Sequence, residues 1–403
     1  MSEWRETTLG EVINFTTGKL NSNAAVPDGE YPFFTCSPET LKIDSYSFDC
    51  KAILLAGNNA NGIYSVKIYE GKFNAYQRTY VITSKDNLSV NLNYVYYLLN
   101  IKLNHFKDIS QGSATKFLTA VILRDLHIFI PYFYEQKRIA DVLSCLDAKI
   151  ENLRSQNQTL EKIAQTLFDR WFIDFEFPND SGEPYKSSGG AMIASELGDI
   201  PVGWWVGKLG DCLSLILDYR GRTPKKLGSD WVPEGIPALS AKNIKDGRIV
   251  REDAMNFVSQ DLYKKWMKDE LRKGDILLTS EAPLGEIYYL ASNKKYVLSQ
   301  RLFSLRATDN FSSPYLYLWL KSFQGQYLLN RRATGSTVEG IRQSELRKVE
   351  IIIPSEEVLN NATTLWSSLL EKLEINYQQI KTLTKTRDTL LPKLMSGQIR
   401  IPE

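Results

Sequence analysis

The chain has 403 residues, 43% apolar and 24% charged, with 49 basic side chains against 47 acidic. That length argues for two or three domains, the composition excludes a mainly disordered chain, and a net charge of +2 excludes a protein that coats nucleic acid by bulk charge. The opening MSEWRETTLGE has no apolar signal region, and no run of about eighteen apolar residues offers a membrane span. Four scattered cysteines (Cys36, Cys50, Cys145, Cys212) without a C-x-x-C predict a reduced, cytoplasmic chain. Two histidines leave little for a zinc site or for Ser-His and Cys-His nucleophiles, and no metal site is expected.

In chain order, Tyr31–Phe34, Ala52–Leu55 and Thr79–Ile82 are apolar runs between turn signals and predict strands. Gly71 predicts a hairpin turn between Val66–Tyr69 and Phe73–Tyr76. Leu92–Leu103 predicts a helix, His105 falls in helix-like sequence, and His127 alternates with apolar neighbours on a solvent-facing strand. Next, Leu146, Ile150, Leu153, Asn157, Leu160, Ala164, Leu167 and Trp171 recur at alternating spacings of four and three, a heptad pattern. Residues 177–200, rich in Gly, Ser, Pro and acid, predict a linker. Tyr315–Phe323 predicts a second short helix, and a second heptad runs through Leu373, Asn376, Ile380, Leu383, Arg387, Leu390 and Leu394.

The second half repeats the first. Ile53-Leu54-Leu55 returns as Ile276-Leu277-Leu278, Gln77-Arg78 as Gln300-Arg301, and Gly112-Ser113 as Gly335-Ser336, all at an offset of 223. Leu126 and Ile128 lie under Val349 and Ile351 at that offset, as Ile150 does under Leu373. Leu9-Gly10-Glu11 returns as Leu209-Gly210-Asp211 at an offset of 200, so the second copy carries extra residues early on. Two heptad helices in one chain make a natural intramolecular pair. Ile150, Leu153, Leu160, Leu167 and Trp171 on one helix, and Leu373, Ile380, Leu383, Leu390 and Leu394 on the other, are the expected interface residues, with Asn157, Asn376 and Arg387 fixing register. The linker favours antiparallel pairing.

Charge is uneven along the chain. Residues 1–150 balance to zero and residues 151–200 carry −5, whereas residues 201–360 carry 24 basic against 19 acidic side chains. A nucleic-acid contact must therefore be a local patch. The candidates are Arg220, Arg222, Lys225 and Lys226 in one loop, with Lys19 at the less basic matching position of the first copy. Arg78 and Arg301 share one repeat position, and Lys116, Arg331 and Arg332 stand near the Gly-Ser turns. Each has a plain alternative, as a solvated loop or as an arginine that ties the fold together. Enzyme signals are poor. G-x-G-x-x-G, Walker A and amino-methylase motifs are absent, and Asp49 with Glu70-Gly71-Lys72 matches a nuclease constellation only loosely.

The duplicated plan, Phe168-Asp169-Arg170-Trp171-Phe172-Ile173-Asp174-Phe175-Glu176 after the first heptad, Arg220-Gly221-Arg222-Thr223-Pro224, and Leu390-Leu391-Pro392-Lys393-Leu394-Met395-Ser396-Gly397-Gln398-Ile399 resemble the specificity subunit of type I restriction-modification systems. The resemblance covers essentially the whole chain. The first domain departs from it by lacking the R-G-x-T-P form. It implies an α/β fold of two similar globular target recognition domains (1–135 and 201–357), separated by two long antiparallel coiled-coil helices (136–176 and 358–403) and related by a pseudo-twofold. It also implies sequence-specific binding of double-stranded DNA at a bipartite target, without a catalytic centre or cofactor of its own. The implied partners are two modification subunits using S-adenosylmethionine to methylate adenine and two restriction subunits using ATP and magnesium.

Overall fold

The computed structural model describes residues 4–59, 62–110, 116–335 and 339–401. Gly112, Ser113 and Ser336 of the repeat lie outside them. The chain divides into two units, the first made of residues 1–152 and 379–403, the second of residues 153–378.

Unit 1 is built on a six-stranded sheet of β1 (Ile13–Thr17), β2 (Tyr31–Phe34), β3 (Leu41–Ile43), β4 (Phe48–Ala56), β5 (Val66–Ala75) and β6 (Thr79–Ser84). Their order across the sheet is β1-β6-β4-β5-β2-β3. The apolar run Ile53-Leu54-Leu55 is central, so both faces are buried and no alternation shows in the sequence. Helix α1 (Leu92–Ile109) covers one face through Tyr94, Val95, Leu98 and Leu99. Gly71 does not turn the chain. It sits inside the continuous strand β5 opposite Cys50, with φ of 130°, a strand conformation that side chains disfavour. The turn signal was therefore an in-strand irregularity. His105 is on α1, and His127 is exposed on a strand, beside Glu6 at 3.3 Å.

Unit 2 repeats this topology with additions. Its four-stranded sheet has the order β7-β12-β9-β10, from β7 (Leu213–Asp218), β9 (Ile276–Ser280), β10 (Leu284–Tyr289) and β12 (Leu302–Ala307). Strand β8 (Ile236–Leu239) pairs in parallel with β11 (Val297–Leu298), as β2 does with the end of β5. The registers superpose. Ile53 opposite Ile82 becomes Ile276 opposite Leu305, and Phe33 opposite Asn74 becomes Ala238 opposite Val297. The extra residues of the second copy thus enter mainly between β8 and β9, where they add helix α3 (Gln260–Trp266) and a separate core around Trp266, Tyr263 and Leu298. The counterpart of α1 is split at Ser322 into α4 (Ser313–Lys321) and α5 (Phe323–Arg331). The Ser322 hydroxyl caps the second piece through the Gly325 N–H at 3.1 Å. Residues 177–200 are ordered and pack on the unit 2 core through Phe177, Tyr185, Met192, Leu197 and Ile200.

Two long helices, α2 (Phe133–Phe168) and α6 (Glu356–Met395), contribute to both units. Within each unit they pair antiparallel. In unit 1, Asp147 meets Arg387 at 2.7 Å and Glu135 meets Arg400 at 3.2 Å. In unit 2, Asn157 meets Asn376 at 2.8 Å, and Phe168 meets Trp366 with ring centroids 5.8 Å apart. Ile150, Leu153, Leu373 and Leu394 are buried. Leu160, Trp171, Leu167, Ile380, Leu383 and Leu390 are half-buried. At the end of α2 the seam passes from Leu167 to Phe168, which is fully buried, because a straight helix drifts against a strict heptad. A π-helical turn, Asp169–Ile173, follows and buries Phe172. Arg387 is not a buried seam residue. It is part-exposed and held by Asp147 and Asp388.

Asn157 and Asn376 are the buried polar pair of the seam, 1% and 0% exposed, and the Asn376 Oδ1 has no hydrogen-bond partner among the described residues. Replacing Asn376 with leucine orphans the Asn157 carbonyl oxygen and is expected to cost about 1–3 kcal/mol in urea unfolding. Adding Asn157→Leu should recover most of that loss. A double variant less stable than either single one would show that the pair contributes net stability and not register alone.

Candidate nucleic-acid interface

In unit 1 the predicted cations gather at one end of the sheet. The turn before β6 carries Gln77 and Arg78, both exposed. Its backbone is fixed: the Gly57 N–H donates to the Arg78 carbonyl at 2.8 Å and the Leu118 N–H to the Gly57 carbonyl at 2.9 Å. Asn58-Asn59 pair with Phe117 and Lys116, and the Arg78 guanidinium stacks over the Phe117 ring at 5.1 Å. The Gln77 amide donates to the Asn21 side chain at 2.9 Å, which ties in the loop bearing Lys19. Lys19, Arg78 and Lys116 are thus brought to one rim by backbone contacts that the sequence offset alone did not reveal. Gly18 is required there, since a Cβ would fall 1.8 Å from the Ala75 carbonyl oxygen.

The corresponding end of unit 2 is more basic, but several of its cations are engaged. Arg220 donates from Nε and Nη2 to the two Asp218 carboxylate oxygens at 2.8 and 2.7 Å. Its plane lies over the Phe303 ring at 4.1 Å. Arg222 donates to the Trp266 carbonyl and lies over the Tyr219 ring at 4.5 Å, so it pins the end of α3. Lys226 donates to the Gly221 carbonyl at 2.7 Å. Arg301, at left-handed φ of 63°, pairs with Glu281 at 3.1 Å. Arg332 is held by Glu350 at 2.6 Å and Glu345 at 3.7 Å, and Arg331 lies over the Tyr327 ring at 5.8 Å.

Sequence reasoning missed a groove beside this loop. It encloses about 640 Å³ and is lined by Lys225, Trp231, Lys242, Asn256 and Gln300 among others, with Asp230 on its rim. Lys225 and Lys242 are exposed and form no ion pair among the described residues. The only signal for this groove was the change of offset between the copies, which places extra chain here. Among the described residues no cluster of three or more His, Cys, Asp or Glu is placed to hold a metal ion, and no helix is long and apolar enough to cross a membrane. All four cysteines are free thiols, and burial pushes the Cys212 thiol up to about 12, far from reactive.

Arg222 has a structural partner in the Trp266 carbonyl at the end of α3. Arg222→Ala is expected to raise amide hydrogen exchange across Gln260–Trp266, with little change in the salt dependence of DNA binding. A salt slope lowered by about one, with exchange unchanged, would make Arg222 a phosphate contact instead.

A family model described as "Type I restriction modification DNA specificity domain" matches residues 1–162 and 201–385. The Escherichia coli type I restriction enzyme EcoDI specificity subunit is 40% identical over 165 residues, which cover 41% of this chain and 35% of that protein. The MjaIX specificity subunit of Methanocaldococcus jannaschii is 30% identical across 77% of this chain and 69% of its own length. The crystal structure of the S subunit from M. genitalium matches 98% of this chain and 96% of its own with a TM-score of 0.70 and 18% identity, which shows the fold.

Proposed function

The chain belongs to the family of type I restriction-modification DNA specificity subunits, and we propose that its two units each read one half of a bipartite duplex target through the loops at the equivalent sheet ends. The observation that carries this is the recurrence of one exposed Gln-Arg turn, Gln77-Arg78 and Gln300-Arg301, at the same register of two sheets. Glutamine and arginine are the side chains suited to adenine and guanine edges, and the flanking cations suit phosphates. In unit 1 the flanking cations are Lys19 and Lys116, beside Arg78 of the turn. In unit 2 Lys225 and Lys242 take the phosphate role beside Arg301 of the turn, with Lys226 and Arg331 at the margin, while Arg220, Arg222 and Arg332 hold the loops in place. The paired helices set the spacing between half-sites and carry the modification subunits, which do the methylation, and the restriction subunits. Two copies of each satisfy the duplicated plan. The chain itself reads and positions.

Mapping of methylated adenines in host DNA tests the reading. The expected result is two unlike short motifs with a constant gap of unspecified bases, and one continuous motif would refute it. Lys225→Ala and Lys242→Ala should each weaken binding nearly uniformly over sequences and lower the slope of log affinity against log salt by about one. An unchanged slope in both would remove the groove from the DNA path.

A further inference from the structure

The repeat would give both units the same polar tie between the globular part and the long helices, and they differ there. In unit 1 the Tyr97 hydroxyl on α1 donates to Asp147 of α2 at 2.6 Å, and Arg387 of α6 donates to the same carboxylate at 2.7 Å. At the offset of 223 the matching positions are Leu320, Leu370 and, counted back from Arg387, Ala164. All three are buried and apolar, so this tie is lost from unit 2. Another replaces it, supplied by the chain that the second copy adds between β8 and β9.

There Ile244-Lys245 pairs with Arg248-Ile249 across a two-residue loop, Asp246-Gly247, with φ of 50° and 73°. Two positive φ values in an Asp-Gly loop match a type I′ turn, which makes a tight hairpin. The Asp246 N–H donates to Glu286 of β10 at 2.8 Å, and a Cβ on Gly247 would lie 3.0 Å from the Tyr317 hydroxyl of α4, so the tip is closely seated. From it Arg248 reaches both long helices. Its Nη2 donates to the two Glu161 carboxylate oxygens of α2 at 3.1 and 3.2 Å. Its guanidinium lies over the Tyr377 ring of α6 at 5.1 Å, and the Tyr377 hydroxyl donates to Glu161. The base of the hairpin leads to the groove beside Gln300, whose wall includes Ser240, Lys242 and Asn243. The buried Asn243 side chain accepts from the Ser240 N–H at 3.1 Å and donates to the Val250 carbonyl at 3.3 Å. The Ala241 N–H donates to the Gln300 carbonyl at 3.1 Å. One short stretch thus joins the Gln300 turn to the helix pair.

We propose that Arg248 is a positioning residue: its grip on Glu161 and Tyr377 fixes the direction in which the Gln300 turn and its groove face from the helix pair, and so selects the gap accepted in a two-part target. This rests on the reading of unit 2 as the reader of one half-site. Helix length sets a span, but the gap also depends on how the reader is turned on the helices. An added base pair moves one half-site by about 3.4 Å and turns it by about 35°. A groove held by Arg248 cannot follow that turn, and one released from it can. The Arg248 Nε is buried without a partner among the described residues, a cost that stability alone does not favour. Arg248 touches no DNA in this role.

The test uses the full chain with its modification subunits. It follows adenine methylation of duplexes carrying the mapped half-sites with the native gap, or with one base pair more or fewer. Arg248→Met should lower the ratio of rates on native and altered gaps about tenfold. Discrimination against point changes within either half-site should stay the same. Glu161→Gln should act alike, and the two together should add little, because they break one contact. Arg248→Lys, which keeps a cation facing Glu161, should restore much of the ratio. Lys295→Met, which loses an exposed pair with Glu270 elsewhere in unit 2, should leave it unchanged. The isosteric Glu161→Gln keeps the test decisive if Arg248→Met fails to fold. A gap ratio unmoved by either variant, on a target that is gapped, overturns this proposal alone. A parallel loss of base discrimination in one half-site also overturns it, since the hairpin would then shape the groove and not aim it. A single continuous motif overturns the reading of two half-sites and this proposal with it.

Discussion

Each unit depends on one short antiparallel ribbon that ties its beginning to the entrance of a long helix. Arg5–Thr8 pairs with His127–Ile130 just ahead of α2, and Trp205–Lys208 pairs with Glu350–Ile353 just ahead of α6. The next backbone contacts continue the tie. The Leu9 N–H donates to the Leu126 carbonyl at 2.8 Å, and the Leu209 N–H to the Val349 carbonyl at 2.7 Å. Gly10 and Gly210 let the chains approach so closely: a Cβ would lie 2.5 Å from the Arg124 side chain in one and 3.0 Å from the Arg347 carbonyl in the other. A helix whose first residues are fixed by this ribbon leaves its unit in a set direction. The Leu-Gly dipeptides that marked the repeat are therefore the point where strand, turn and helix are joined.

What the sequence disclosed follows from periodicity and repetition. Heptad spacing located both long helices, because a seam of Ile150, Leu153 and Leu373 leaves a regular apolar trace. The central strands were legible because a buried strand is an unbroken apolar run. Gly71 misled because glycine signals an unusual φ and does not say whether the chain turns there or continues as a strand. Residues 177–200 read as a linker from composition, and in the structure Phe177, Tyr185 and Ile200 pack this segment on the unit 2 core. A few aromatic side chains outweigh many polar ones when they bury a large apolar area.

Arginine in a basic loop carries two meanings that composition cannot separate. Arg220 and Arg222 are candidate phosphate contacts in sequence, and in the structure Asp218 accepts from the fork of one and the Trp266 carbonyl accepts from the other. Both also lie on aromatic rings, Phe303 and Tyr219. Arginine suits this use because its planar cation is weakly hydrated and fills a fork geometry. Lysine loses more when dehydrated, which is why Lys225 and Lys242 remain at the surface of the groove. In this loop arginine does most of the shaping, with Lys226 on the Gly221 carbonyl, while Lys225 and Lys242 face outward.

The same sorting accounts for unlike readers on a like frame. Strand registers are shared between the units because a one-residue slip would turn every core side chain outward, so the sheet tolerates little change. The additions to unit 2 enter between β8 and β9 and bring their own core, with Trp266 and Tyr263 buried in it. An insertion that buries its own apolar side chains leaves the frame unstrained. It moves Lys242 and Asn256 to the rim of a groove that also takes in Gln300 from the shared turn. Difference in what each unit faces therefore accumulates in inserted chain, while the positions that hold Gln77 and Gln300 stay fixed by the backbone of β6 and β12.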